Sequence, residues 1–159
     1  MTRLSVSRHI AAPPETVWTA FIDHASEWFT PRPWTTPVVD YDLRPGGRAD
    51  IVMQSPDGEQ HSYKGVVLEV QPARLLVTTG AMTEGWEPQA DDMAFVRFDR
   101  FEPDGDGTRY TAEALHWNEA AASKHRDMGF EQGWGMAAAQ LAEVAERLNG
   151  TPPSDKGRS

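Results

Sequence analysis

The apolar positions of this chain change period partway along it, and the change separates two kinds of structure. From about Ala120 to Leu148 the chain reads as helix. Phe130, Trp134, Ala138, Leu141, Ala145 and Leu148 recur at spacings of three and four, one face of an α-helix. Gln140, Glu143, Glu146 and Arg147 fall on the other side. Asn149-Gly150, followed by Pro152 and Pro153, is a stop signal, because glycine accepts the left-handed cap and proline cannot continue the helix. At about 1.5 Å per residue such a helix reaches on the order of 40 Å and needs a broad surface to lie on. Gly129, Gly133 and Gly135 interrupt it, although an interior glycine costs roughly 1 kcal/mol against alanine. Two readings are open. The glycines let the helix approach a sheet or ligand closely, with Phe130 and Trp134 at the mouth of a cavity, or they mark a kink or a helix that starts only near Phe130, preceded by a loop.

Upstream the pattern alternates. Arg3 to Ile10 reads as a first strand, and Pro13-Pro14-Glu15 opens a short helix whose apolar face is Val17, Trp18, Phe21 and Ile22. His24 to Phe29 suggests a second short helix, and the proline-rich FTPRPWTTP an irregular, extended segment. Strands are then expected at Val38 to Leu43, Arg48 to Gln54, Gln60 to Val70, Leu75 to Thr79, Met93 to Glu102 and Thr108 to Trp117. Asp57-Gly58 and the Asp104 to Gly107 run supply hairpin turns, and Gly80 to Asp92 reads as a loop. Consecutive strands joined by short turns make an antiparallel meander, and helices on one face of it make an α+β domain.

Composition narrows the partners more than the fold. The chain has 159 residues, enough for one domain with a real core, here placed at 1–149 with a disordered polar tail at 150–159. Its 15 basic and 24 acidic residues give a net charge of −9, which repels phosphate backbones, so neither nucleic acid nor membrane insertion is expected. There is no cysteine, hence no thiol nucleophile or thiolate site. No apolar run suggests a signal peptide or membrane span, so a cytoplasmic location is the expectation.

The run SVSRHIAAPPETVWTAFIDHASEWFTP, the turn DLRPGG, the block DGEQHSYKGVVLEVQPARLLVTTG, the strand GTRYTAEALHW and the helix core QGWGMAAAQLAEV together resemble the bacterial Hsp90-ATPase-activator-homologue branch of the START-like (SRPBCC, helix-grip) superfamily. The resemblance covers about Leu4 to Leu148. It implies a curved antiparallel sheet wrapped around a long C-terminal helix, with two short helices after the first strand and a cavity for apolar small molecules. Fold alone does not select a reaction, since the superfamily holds carriers, receptors, cyclases and chaperone-associated domains. Eukaryotic Hsp90 activators carry a further N-terminal domain for which this chain has no room, which argues against a co-chaperone role, leaving chaperone contact and a stress response as the weakest expectation.

Six tryptophans are more than packing requires: Trp28, Trp34, Trp86, Trp117 and Trp134 lie at strand ends, in irregular segments or on the glycine-flanked helix, where an aromatic ligand wall would be built, with Phe130 beside them, whereas Trp18 reads as core. Met53, Tyr63, Phe98 and Tyr110 sit on strand faces assigned inward, a parity that one bulge would reverse. His116 shares the face of Tyr110, Ala112 and Ala114, where a neutral imidazole can orient a ligand or serve as acid or base; a hydrogen-bonded structural histidine is the commoner role. His9, His24, His61 and His125 show no metal-ligand spacing, Gly46-Gly47 lacks a phosphate-loop pattern, Asp91-Asp92, Asp104 and Asp106 read as turn chemistry, and no Gly-x-Ser-x-Gly turn occurs. No metal and no cofactor are expected. The leading expectation is binding of an apolar or aromatic small molecule (lipid, sterol, polyketide or flavonoid-like) by a monomer or homodimer. The alternative is a cyclase or hydratase using the same cavity, with His116 as proton shuttle.

Overall fold

The computed structural model describes residues 1–90 and 93–150. Strand β1 (Thr2–Ile10) leads into helix α1 (Pro14–Asp23), which opens on a proline in its first turn, and the one-turn helix α2 (Ala25–Trp28). There follow β2 (Thr35–Tyr41), β3 (Ala49–Gln54), β4 (Gln60–Tyr63), β5 (Val66–Gln71) and β6 (Leu75–Thr79). The two-residue strands β7 (Met82–Thr83) and β8 (Glu87–Pro88) form a small ladder within the stretch expected to be loop. The long hairpin β9 (Val96–Asp104) and β10 (Gly107–His116) precedes helices α3 (Glu119–Asp127) and α4 (Phe130–Gly150). The polar tail and Asp91-Asp92 lie outside the described residues, apart from Gly150, which ends α4.

All strand pairings are antiparallel. The order β1-β10-β9-β6-β5 forms one sheet, with the first strand closing against the last, and β2-β3-β4 forms a second. The two meet where the chain passes from β4 to β5. Ala49 N–H donates to the Gly65 carbonyl at 3.0 Å, and Val67 exchanges hydrogen bonds of 2.8 Å with Gly46 and Gly47. The run expected as one strand, Gln60 to Val70, is therefore split at Lys64-Gly65. A Cβ on Gly65 would lie 2.6 Å from the Thr79 carbonyl oxygen, so only glycine allows the sheet to fold over here. This bend gives the sheet the curvature that wraps it around α4.

The helix expected from Ala120 to Leu148 is two helices. Asn118 caps α3 with its side-chain oxygen, accepting from Ala121 N at 2.8 Å. Gly129, at φ +90, then turns the chain, and its carbonyl accepts the Gly133 N–H to start α4. Of the two readings of the glycines, the late start is the observed one. A Cβ at Gly133 or Gly135 would meet nothing within 4 Å, so neither permits a close approach.

The core sits at the far end of α4. Phe21 is central, with ring centroids 4.8 Å from Trp28 and 5.3 Å from Phe101, and Ile10, Val17, Leu76 and Leu141 fill the space around it. Gln140, expected on the polar side of α4, is buried. Its Nε2 donates to the carbonyls of Trp28 and Thr30, both at 2.9 Å, and its Oε1 accepts from Arg32 N at 2.9 Å. A buried amide with these contacts is satisfied, and it pins the segment after α2 onto α4. Glu143, Glu146 and Arg147 do lie at the surface, tied to Arg32, Ala11 N and Glu27.

Candidate binding cavity

The main core cluster is centred beyond the first turns of α4, where only a small second cluster around Phe130 is packed. Between these turns and the bent part of the sheet lies a cavity of about 600 Å³. The sheet contributes Ala49, Ile51 and Met53 from β3, alternate residues on one face, with Tyr41, Thr78, Thr79, Phe95 and Arg97. The helical side contributes His125, Met128 and Trp134, and Phe29 closes one end. Tyr63 and Met128 are 52% and 69% exposed, which places them at the rim. A smaller space of about 110 Å³, bounded by Tyr110, Ala112, Gly133 and Ala137, shares Phe29, Met53, Arg97 and Trp134 with the first.

Arg97 stands between the two spaces. Its guanidinium carbon lies 4.9 Å from the Phe29 ring centre and 4.4 Å from that of Trp134, so the cation rests between two aromatic rings. Nε and Nη2 donate to the two oxygens of Asp99, at 2.9 and 3.1 Å, and Asp99 also accepts the Tyr110 hydroxyl at 2.6 Å. Asp99 is buried. Burial opposes the charge on Arg97, but Asp99 outweighs it and holds the guanidinium protonated. Burial and Asp99 push the Tyr110 phenol well above its ordinary value, and burial does the same to Tyr41, so both remain neutral.

The second polar group is a histidine pair. His116, at the end of β10, is fully buried, and its Nε2 lies 2.8 Å from Nδ1 of His125 on α3. Phe95 covers both rings, at 5.2 and 5.0 Å, and Phe130 and Trp134 meet His125 edge-on. Burial lowers the pKa of His116. Burial, then His116 and Arg97, lower His125 to about 4. Both rings are neutral at physiological pH. His116 Nδ1 is buried without a partner. A bare buried acceptor is tolerated better than a bare buried N–H, so His116 donates through Nε2 and His125 keeps its proton on Nε2.

Of the residues singled out from the sequence, Met53, Tyr63 and Trp134 line the larger cavity, and Tyr110, with Met53 and Trp134, the smaller. His116 lies one residue behind the wall and reaches it only through His125. Trp28 is buried in the core, donating from its indole to the Phe21 carbonyl at 3.3 Å, and Phe130 packs in a second cluster with Leu4, Ala114 and Ala122. Trp34 stacks near His61 at 5.8 Å, and Trp86 packs on Gly46; neither borders the cavity. The inward assignment of Phe98 is corrected: its ring carries Arg3 and Arg100 at 5.4 and 4.8 Å on the opposite face of the sheet, while Arg97, Asp99 and Phe101 point in. Sequence reasoning missed Arg97, Asp99, Phe95 and His125. The signal for the first two was the hairpin register, which sets Asp99 opposite Ala112 and so on the same face.

Among the described residues no three His, Cys, Asp or Glu side chains are grouped as metal ligands would be, and no helix is long and apolar enough to cross a membrane. A curved antiparallel sheet around a C-terminal helix, holding a mostly apolar cavity, defines a helix-grip ligand-binding domain. The family model described as "Activator of Hsp90 ATPase homolog 1-like protein" matches residues 11–146, and the chain belongs to that family. No curated protein sequence matches it significantly. Among solved structures, a Nitrosomonas europaea protein is 33% identical at a TM-score of 0.86, the alignment covering 92% of this chain and 95% of that one. A Mycobacterium smegmatis protein is 24% identical with a TM-score of 0.72, covering 98% and 93%. An AHSA1 protein of Silicibacter pomeroyi is 20% identical with a TM-score of 0.66, covering 89% and 96%. The last two show likeness of fold alone.

Proposed function

We propose that this protein binds an apolar or aromatic small molecule in the cavity between α4 and the bent sheet. The observation that carries the reading is the 600 Å³ space itself, within the roughly 300–1,000 Å³ typical of ligand pockets. Its lining is built from Ile51, Met53, Phe95 and Trp134 with a few convergent polar groups, and methionines such as Met53 and Met128 adapt to different shapes. Trp134 borders both spaces and presents an aromatic edge to each.

The histidine pair favours binding over proton transfer. Each nitrogen that would gain a proton sits among aromatic rings, and the positive Arg97 lies nearby, so an imidazolium is poorly supported there. His125 is better suited to donate one hydrogen bond than to cycle a proton.

The test is ligand-dependent stability in a panel of neutral aromatic and alicyclic compounds, comparing the unaltered protein with Met53→Trp, whose larger side chain intrudes where the two spaces meet. A ligand at a hundred times its dissociation constant should add about 2.7 kcal/mol to the unaltered protein and little to the variant. Equal stabilisation of both proteins would remove the cavity from the account.

A further inference from the structure

The charge balance of the cavity defines which ligands it accepts, an inference that rests on the binding role proposed above. Arg97, Lys64 and His125 are the basic side chains among the described lining residues. Arg97 is engaged at Nε and Nη2 by Asp99, and Lys64 Nζ lies 3.6 Å from Asp50. Each cation therefore has a carboxylate of its own, and His125 is neutral. The wall thus offers hydrogen-bond donors without net positive charge. Among those donors are the Arg97 N–H groups that Asp99 does not take, beside the Tyr110 hydroxyl, and the Nε2–H of His125 in the tautomer derived above. They flank one ring: the Arg97 guanidinium lies over the face of Trp134, and the His125 ring meets the same indole at 5.7 Å and 77°.

We propose that the cavity selects uncharged aromatic carbonyl compounds, seating the rings on Trp134 and Phe95 and the carbonyl oxygen on Arg97 and His125, and rejects carboxylates of the same size. A neutral oxygen accepts from both donors and adds no charge to the buried space. A carboxylate brings a negative charge close to Asp99, which is buried and already matched one-to-one by Arg97, and it must shed its hydration to do so. The chain as a whole carries −9, which adds repulsion at the entrance rather than attraction. A ligand with no acceptor leaves the donors unpaired once water is displaced, which costs affinity in turn.

The experiment is calorimetric titration of the full chain at neutral pH with acetylnaphthalene, naphthoate and ethylnaphthalene, which share a ring system and differ in the head group. The expected result is that the ketone binds at least tenfold more tightly than either of the others. His125→Phe removes one of the two donors and should cut the ketone's preference over the alkyl compound at least threefold, whereas an unchanged ratio would overturn the role given to His125. Asp99→Asn leaves Arg97 unneutralised and should raise naphthoate affinity at least tenfold. Because the three-ligand comparison is made on the unaltered protein, it stands even where Asp99→Asn fails to fold. Naphthoate binding as tightly as the ketone, or the alkyl compound doing so, overturns the selectivity and leaves the binding role intact. Failure of all three to bind removes the binding role and the selectivity with it.

Discussion

His116 Nε2 and His125 Nδ1 lie 2.8 Å apart, joining the end of β10 to α3 inside a ring of Phe95, Phe130 and Trp134. The pair holds the first helix after the sheet against the cavity wall, and burial among these rings disfavours the charged form of either imidazole.

Acid should therefore loosen this corner. The folded pKa of His125 is about 4 against an ordinary value near 6.5, so between these values the unfolded chain binds more protons than the folded one. The contribution of His125 is complete above about pH 6.5, falls as pH falls through the window, and is fully lost below about pH 4. Partial exposure screens part of the effect, leaving on the order of 2 kcal/mol. Urea midpoints taken near neutrality and near pH 4.5 should differ more in the unaltered protein than in His125→Phe, with Glu27 and Asp104, whose pKa values are lowered by their partners, acting equally in both. Parallel pH profiles for the two proteins would show that the pair carries no such linkage.

Arg97 and Asp99 form the second structural commitment. Arg97→Ala leaves the Asp99 carboxylate buried with only the Tyr110 hydroxyl, and should cost about 3–5 kcal/mol in urea denaturation. Tyr110→Phe removes one hydrogen bond to a charged group and should cost about 1.5–3 kcal/mol. The double change Arg97→Met with Asp99→Leu should be far milder than Arg97→Ala alone, because it leaves no unpaired charge. An Arg97→Ala protein as stable as the unaltered one would remove the pair from the account of stability.

The same pair explains what the sequence concealed. Strand positions and their order were legible, because alternation and the Asp-Gly turns survive tertiary context, and Ala49, Ile51 and Met53 do share the cavity face. On β9 the inward assignment fell on Phe98 rather than on Arg97 and Asp99. It failed because Arg97 and Asp99 neutralise each other and so can be buried together. Assigning both Phe98 and Tyr110 inward was inconsistent with the hairpin register, in which Tyr110 pairs with Phe101 and Phe98 with Glu113. His125 was hidden for a different reason: the break at Gly129 reorients α3, and helical period alone does not reveal the direction of a helix after a turn. Gln140 follows the β9 logic, a polar residue whose partners are backbone groups distant in sequence.

Gln140 anchors the segment that carries Phe29. Gln140→Leu keeps the volume but strands the Arg32 N–H and the carbonyls of Trp28 and Thr30, and should cost about 2–4 kcal/mol. Exchange of the Arg32 amide should accelerate in step with the loss. Unchanged protection of that amide would show that α2 and the chain after it are held by something else.

The three glycines around the start of α4 should respond to alanine in opposite directions. Gly135 lies inside the helix, and a Cβ there meets nothing within 4 Å, so Gly135→Ala removes a flexible residue from the unfolded chain at no steric cost and should stabilise by about 0.5–1 kcal/mol. Gly133→Ala should gain as much, while its methyl narrows the smaller cavity that Gly133 borders. Gly129 has equal room for a methyl but sits at φ +90, where an L side chain is strained, so Gly129→Ala should destabilise by about 1–2 kcal/mol despite the open space. Thermal or urea denaturation of the three single variants reads the signs directly. Loss of stability in Gly135→Ala would indicate that the helix is not continuous through this turn, and gain in Gly129→Ala that α3 and α4 run on as one.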